Sequence, residues 1–107
     1  MSGRNAPKLE ETQMVRMLMT INISKGFKVW SEMAKSLEPE MNEVGAKMIW
    51  AGANPEESAV FVVMEMKDPS QIETFGGRPN IAKRREDAGA DVSSTKMISP
   101  IGDHFVG

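Results

Sequence analysis

An α+β fold, one four-stranded antiparallel sheet carrying two helices on a single face, is what this 107-residue sequence predicts. Three observations lead there. Met14–Ile23 alternates with the two-residue period of a strand, and Ala59–Met66 is an apolar run of strand length. After the first comes a stretch whose apolar residues stand three and four apart, the period of a helix, and after the second Asp68-Pro69-Ser70 opens another. The length supports one core and leaves too little chain to fold around a second.

On the first strand Val15, Met17, Met19, Ile21 and Ile23 alternate with Arg16, Leu18, Thr20 and Asn22. Ser24 offers an N-cap hydroxyl to the next helix. Phe27, Trp30, Met33, Ala34, Leu37, Met41 and Val44 then mark one wide apolar stripe. Pro39 lacks an amide donor and crowds the preceding turn, so a kink or restart is expected near Glu38, and Gly45 ends the helix in a left-handed conformation. Lys47–Ala51 is a short second strand, and Gly52–Ser58 has the polar, Gly- and Pro-containing chemistry of a hairpin loop. Ala59–Met66 follows, apolar on both faces except at Glu65, as expected of a strand inside a sheet. Asp68-Pro69-Ser70 starts the second helix, with Asp as cap and Pro where its missing N–H costs nothing. Gly76-Gly77 interrupts this helix, Pro79 restarts it and Gly89 ends it. Val92–Ser99 is a more polar last strand suited to an edge, before a tail from Pro100 to Gly107.

The order strand, helix, strand, strand, helix, strand is the split βαβ or ferredoxin-like pattern. Right-handed crossovers give the strand order 4-1-3-2, with the first and third strands side by side at the centre. Drawn parallel there, they bring Asn22 and Glu65 together at their carboxyl ends. With Val15, Met17, Met19 and Ile21 toward the helices, Arg16, Leu18, Thr20 and Asn22 face away, beside Phe61, Val63 and Glu65. Leu18, Phe61 and Val63 are too apolar to be left bare. The face must pack on a second subunit, bind a flat ligand or bind another protein.

The β-α-β-β-α-β layout, the Asp68-Pro69-Ser70 helix start, the Gly-Gly/Pro break and the Glu86-Asp87-Ala88-Gly89 exit resemble the dimeric α/β-barrel superfamily, closest to a small family of domains of unknown function. The resemblance runs from Met14 to about Ile101. It implies a homodimer that pairs two sheets into a barrel with helices outside. It also implies a range of activities: cofactor-free monooxygenases, haem-degrading enzymes, lactone isomerases and non-catalytic ligand sensors. Asn22 and Trp50 resemble features of the haem-degrading branch, but that branch takes an axial histidine from the second helix, and Pro69–Gly89 contains none.

The expected reading is therefore a homodimer, paired through the sheet face, that binds a small hydrophobic or aromatic metabolite without a cofactor. Monooxygenase- or isomerase-like chemistry is one form of it. Glu65 stands as general base or ligand anchor and Asn22 as its catalytic partner. Arg16, Leu18, Thr20, Phe61, Val63 and Trp50 form the ligand-binding set. A carboxylate taken from water needs a partner, so Glu65 should meet Arg16, Lys96, Lys47 or a second subunit. The alternative is a non-catalytic ligand-sensing or protein-interaction module whose dimer interface is simply packed.

Composition narrows the chemistry. Cysteine is absent, so no disulfide, thiolate nucleophile or cysteine-held zinc can form. The single histidine, His104, lies in a polar tail beside Asp103, and no His/Asp/Glu group has metal-ligand spacing. A net charge of -2 gathers no phosphate backbone, and Phe61 alone offers a stacking ring on the central strands, so no nucleic acid is expected. Lys83-Arg84-Arg85 reads as a solvated helix end paired with Glu86 and Asp87. No apolar run approaches the ~20 residues of a membrane span. Residues 1–13 are expected to be a polar arm rather than a secretory signal, Met14 an alternative start, 14–107 a single domain with its tail at 100–107, and the protein cytoplasmic. The ten methionines read as adaptable packing between helices and sheet.

Overall fold

The computed structural model describes residues 14–107, and the polar arm expected at 1–13 lies outside the described residues. In chain order the elements are β1 (Val15–Asn22), α1 (Phe27–Ser36), α2 (Glu38–Glu43), β2 (Ala46–Ala53), β3 (Ala59–Met66), α3 (Pro69–Gly76), α4 (Pro79–Asp87), a 3-10 turn (Val92–Ser94) and β4 (Lys96–Pro100). The sheet order is β2-β3-β1-β4, which is 4-1-3-2 read from the other edge. This is a small α+β domain with an antiparallel sheet, compatible with a ferredoxin-like fold. Each expected helix is two: Leu37 separates α1 from α2, and Gly77-Arg78 separate α3 from α4. No helix among the described residues is long and apolar enough to cross a membrane.

The central pairing corrects the parallel arrangement drawn from sequence. β1 runs antiparallel to β3, with Arg16 opposite Glu65 and Asn22 opposite Ala59. The reason is connectivity. A crossover makes β1 and β2 parallel with one strand between them, and β3 returns from β2 through a tight turn, so it opposes both.

Met17, Met19 and Ile21 of β1 and Val60, Val62, Met64 and Met66 of β3 are buried under the helices. From the other side Trp30, Ala34, Leu37 and Met41 meet them, the stripe its spacing called for. Capping differs between the two halves. Asp68 caps α3 as expected, accepting from Ser70 N at 3.0 Å. Ser24 does not cap α1, whose N-cap is Gly26 at φ 88° with no side-chain bond. Glu57, from the β2–β3 turn, takes over by accepting from Phe27 N at 2.7 Å, while the Ser24 hydroxyl donates to Gly89 O. Gly89 has φ 91°, and a Cβ there would lie 2.8 Å from Lys25 N, so two requirements for glycine coincide.

β4 begins later than expected, at Lys96, because Val92–Ser94 winds into the 3-10 turn. Both edge strands carry an irregularity: the β2 register shifts between Met48 and Trp50, and the β1–β4 register between Leu18 and Met19. Ile49 and Ile98 are the extra residues and both are exposed. Such bulges twist an edge and blunt its pairing with another chain.

Candidate functional site

The sheet has two unlike faces, and the residues expected to form a site lie on the open one. Arg16, Leu18, Thr20, Val63 and Glu65 are half-buried there, with Asn22, Phe61 and Trp50 exposed. Antiparallel register brings Arg16 to Glu65, Nε to Oε2 at 3.2 Å, with Lys47 opposite Glu65 on β2. Leu18, Val63 and Trp50 line up across the middle of the sheet, and Thr20, Phe61 and Gly52 across the next rung. The Thr20 hydroxyl donates to Val60 O at 3.1 Å.

Asn22 is not beside Glu65. Glu65 pairs with Arg16, six residues along β1 from Asn22, which is about 20 Å at ~3.4 Å per strand residue. The two cannot act on one small substrate within a subunit, and the carboxyl-end juxtaposition falls with the parallel pairing that suggested it. Of the partners expected for Glu65 within the chain, Arg16 is the one it meets among the described residues. Trp50 lies over Gly52, where any Cβ would come within 2.9 Å of the indole, so the glycine lets the ring lie flat along β2. His104, in the tail, has its Nδ1 3.4 Å from Gly102 O.

A concave site lies on the other side of the sheet. A cavity of about 300 Å³ opens between the helices and the sheet. Six of the ten methionines line it: Met19, Met33, Met41, Met48, Met64 and Met97. Protein interiors seldom leave voids larger than a water molecule. The cavity's inner wall is buried and apolar, including Trp30, Val62, Ile72 and Ile81. Its half-buried or exposed wall carries Glu73, Gly76, Gly77, Arg85 and Thr95.

Arg85 is the functional candidate that the sequence reading missed, because Lys83-Arg84-Arg85 does not form one solvated face. Successive helical residues point about 100° apart, so three adjacent cations serve three directions. Lys83 stays at the surface, 3.5 Å from Asp87. Arg84 crosses to α2, with Nη1 2.8 Å from Glu40 Oε2, and donates through Nη2 to Ser36 O at 2.9 Å. That hydrogen bond from Arg84 holds the Glu40 carboxyl below its usual range. Arg85 turns inward to the cavity wall, donating to Gly76 O at 3.2 Å and Thr95 Oγ1 at 2.5 Å. Burial lowers its pKa, partly opposed by nearby Glu86, yet a guanidinium stays charged at neutral pH. The signal was present in the spacing: Arg85 stands four residues after buried Ile81 and three before buried Ala88, on the inner stripe of α4.

No protein-family model matches the chain, and neither a curated protein nor a solved structure matches it.

Proposed function

We propose that the protein is a small-molecule-binding domain whose ligand, a small apolar metabolite, occupies the methionine-lined cavity between helices and sheet. The cavity itself carries the reading. Its volume of about 300 Å³ stands at the small end of the ~300–1,000 Å³ typical of ligand pockets, and its wall is apolar with a few polar groups on one side. Methionine suits such a site because an unbranched, polarizable side chain re-packs around different occupants. Binding or sensing without catalysis is favoured over cofactor-free chemistry. The one carboxylate considered as a base, Glu65, lies across the sheet from the cavity and is held by Arg16. Benzene is a suitable neutral probe, since dry apolar cavities take it up. In ¹³C-methyl spectra of the methionines, benzene should move the six cavity methyl signals saturably, and Ala34→Leu, which adds bulk to the cavity wall, should weaken the effect. Unmoved cavity methyls at saturating benzene would sink this reading.

A second reading concerns the open face, and a different observation favours it. Trp50 is 56% exposed and Phe61 38%, with half-buried Leu18 and Val63 beside them. Contiguous apolar surface of this kind marks an interaction site, and we propose a second copy of the chain as its cover. The resemblance to the dimeric barrel superfamily supports this. Sedimentation should report twice the 11.8 kDa chain mass, and Phe61→Glu should halve it while the domain stays folded. A wild-type monomer at micromolar concentration would refute the pairing.

A further inference from the structure

Resting on the reading of the cavity as a ligand site, we infer that its occupant is an amphipathic monocarboxylate, with the apolar body among the methionines and the carboxylate on the Arg85 guanidinium. The argument starts from a contrast within α4. Lys83 and Arg84 each meet a carboxylate, Asp87 and Glu40. Arg85, the most inward of the three, meets none within 4 Å among the described residues; its partners are the neutral Gly76 carbonyl and Thr95 hydroxyl. Two of its five N–H groups are thus used, and the rest have no hydrogen-bond partner among the described residues. A cation partly withdrawn from water without a counter-charge is costly. A carboxylate received side-on by a guanidinium forms the paired, charge-assisted bonds that relieve that cost.

The surroundings narrow the class further. Gly76 is where α3 stops, and a Cβ there would lie 3.0 Å from Arg85 Nη1. The Gly-Gly break therefore does more than interrupt a helix, because it leaves room for the guanidinium against the backbone. Arg85 is the one cation in the cavity wall among the described residues, so the site suits a monoanion better than a phosphate dianion. Glu73, on α3, is the acidic residue of the same wall, and Glu86 follows Arg85 in the chain; neither lies within ion-pair distance of it. Both oppose a second negative charge. The inner wall is apolar, which calls for a hydrocarbon or aromatic body.

Titration calorimetry of the full chain at neutral pH tests this with a matched pair, octanoate and octan-1-ol, and with 2-naphthoate and 2-naphthylmethanol for a flat body. Each acid should bind at least ~10-fold tighter than its alcohol, the scale of a hydrogen bond to a charged group. Arg85→Gln should erase that difference by weakening the acids while leaving the alcohols unchanged. Arg85→Lys should keep part of it, retaining the charge without the fork. Gly76→Ala leaves Arg85 in place but presses a Cβ on its Nη1, and it should reduce the preference as well; it carries the test if Arg85→Gln does not fold. Equal binding of acid and alcohol to the wild type, or equal weakening of both in Arg85→Gln, overturns the carboxylate assignment. The benzene experiment judges the cavity separately, so the two failures can be told apart.

Discussion

One sheet presents two faces made from alternate residues of the same strands, and they have opposite characters. On the helix-covered face of β1 and β3, Met17, Met19, Ile21, Val60, Val62, Met64 and Met66 are buried to 6% exposure or less, with a cavity left beside them. The open face of the same strands is a half-exposed apolar patch with an arginine–glutamate pair at one end. A period of two assigns the faces, and a one-residue slip would exchange them. The difference teaches that apolar residues on a sheet do not identify a binding site by themselves. The patch is flat and the hollow lies behind it, where helices and methionines leave a gap.

Substitutions can break that contrast. The largest expected effect is on the covered side: Ile81→Ala, at a residue 1% exposed, should cost about 2–5 kcal/mol. Val63→Ala on the open face, measured in a monomer, should stay within about 1 kcal/mol. Urea denaturation gives both numbers, and equal costs would erase the distinction between the faces. Next is Gly89→Ala, with a strained φ of 91° and a Cβ set against Lys25; it should destabilise by about 1–3 kcal/mol. Asp68→Ala removes the α3 cap and should cost about 1 kcal/mol in the same assay.

The smallest expected effect depends on pH. Glu40 has its pKa lowered by the hydrogen bond from Arg84. A depressed carboxylate stabilises the fold above its unfolded value, and that stabilisation is lost as pH falls through the folded one. The wild type should therefore exceed Glu40→Gln modestly at pH 7, with the gap closing below the ordinary glutamate value of about 4.3. Urea midpoints of the two proteins at pH 7 and pH 3 check this. A gap that is constant or widens in acid would contradict the Arg84–Glu40 account.

Much of the fold was legible because its signals are local. The β3 run Ala59–Met66, the Asp68 cap, the restart at Glu38 and the break at Gly76-Gly77 each follow from residues adjacent in sequence. The alternation on β1 was enough to assign its faces. What was not legible depends on where distant segments return. Glu57 replaces Ser24 as the cap of α1 because the β2–β3 turn folds over Gly26. Strand direction at the centre follows from connectivity rather than from any side chain. The site was harder still. Glu65 and Arg16 could be read as an expected pair, but a cavity is a shape left between elements and no residue encodes it. Arg85 could have been found by continuing the Ile81–Ala88 stripe through the basic run instead of reading three charges as one surface.

The two tryptophans make the contrast measurable in one spectrum, because Trp30 lies against the cavity at 3% exposure and Trp50 lies on the open face at 56%. The indole N–H signals of the ¹⁵N-labelled full chain, followed first with added benzene and then on dilution, test whether the cavity takes the ligand while the open face meets a second copy. The expected result is a saturable shift of the Trp30 signal with benzene and of the Trp50 signal on dilution. A Trp30 signal that ignores benzene, with Trp50 following it instead, would contradict the account and return the binding site to the open face.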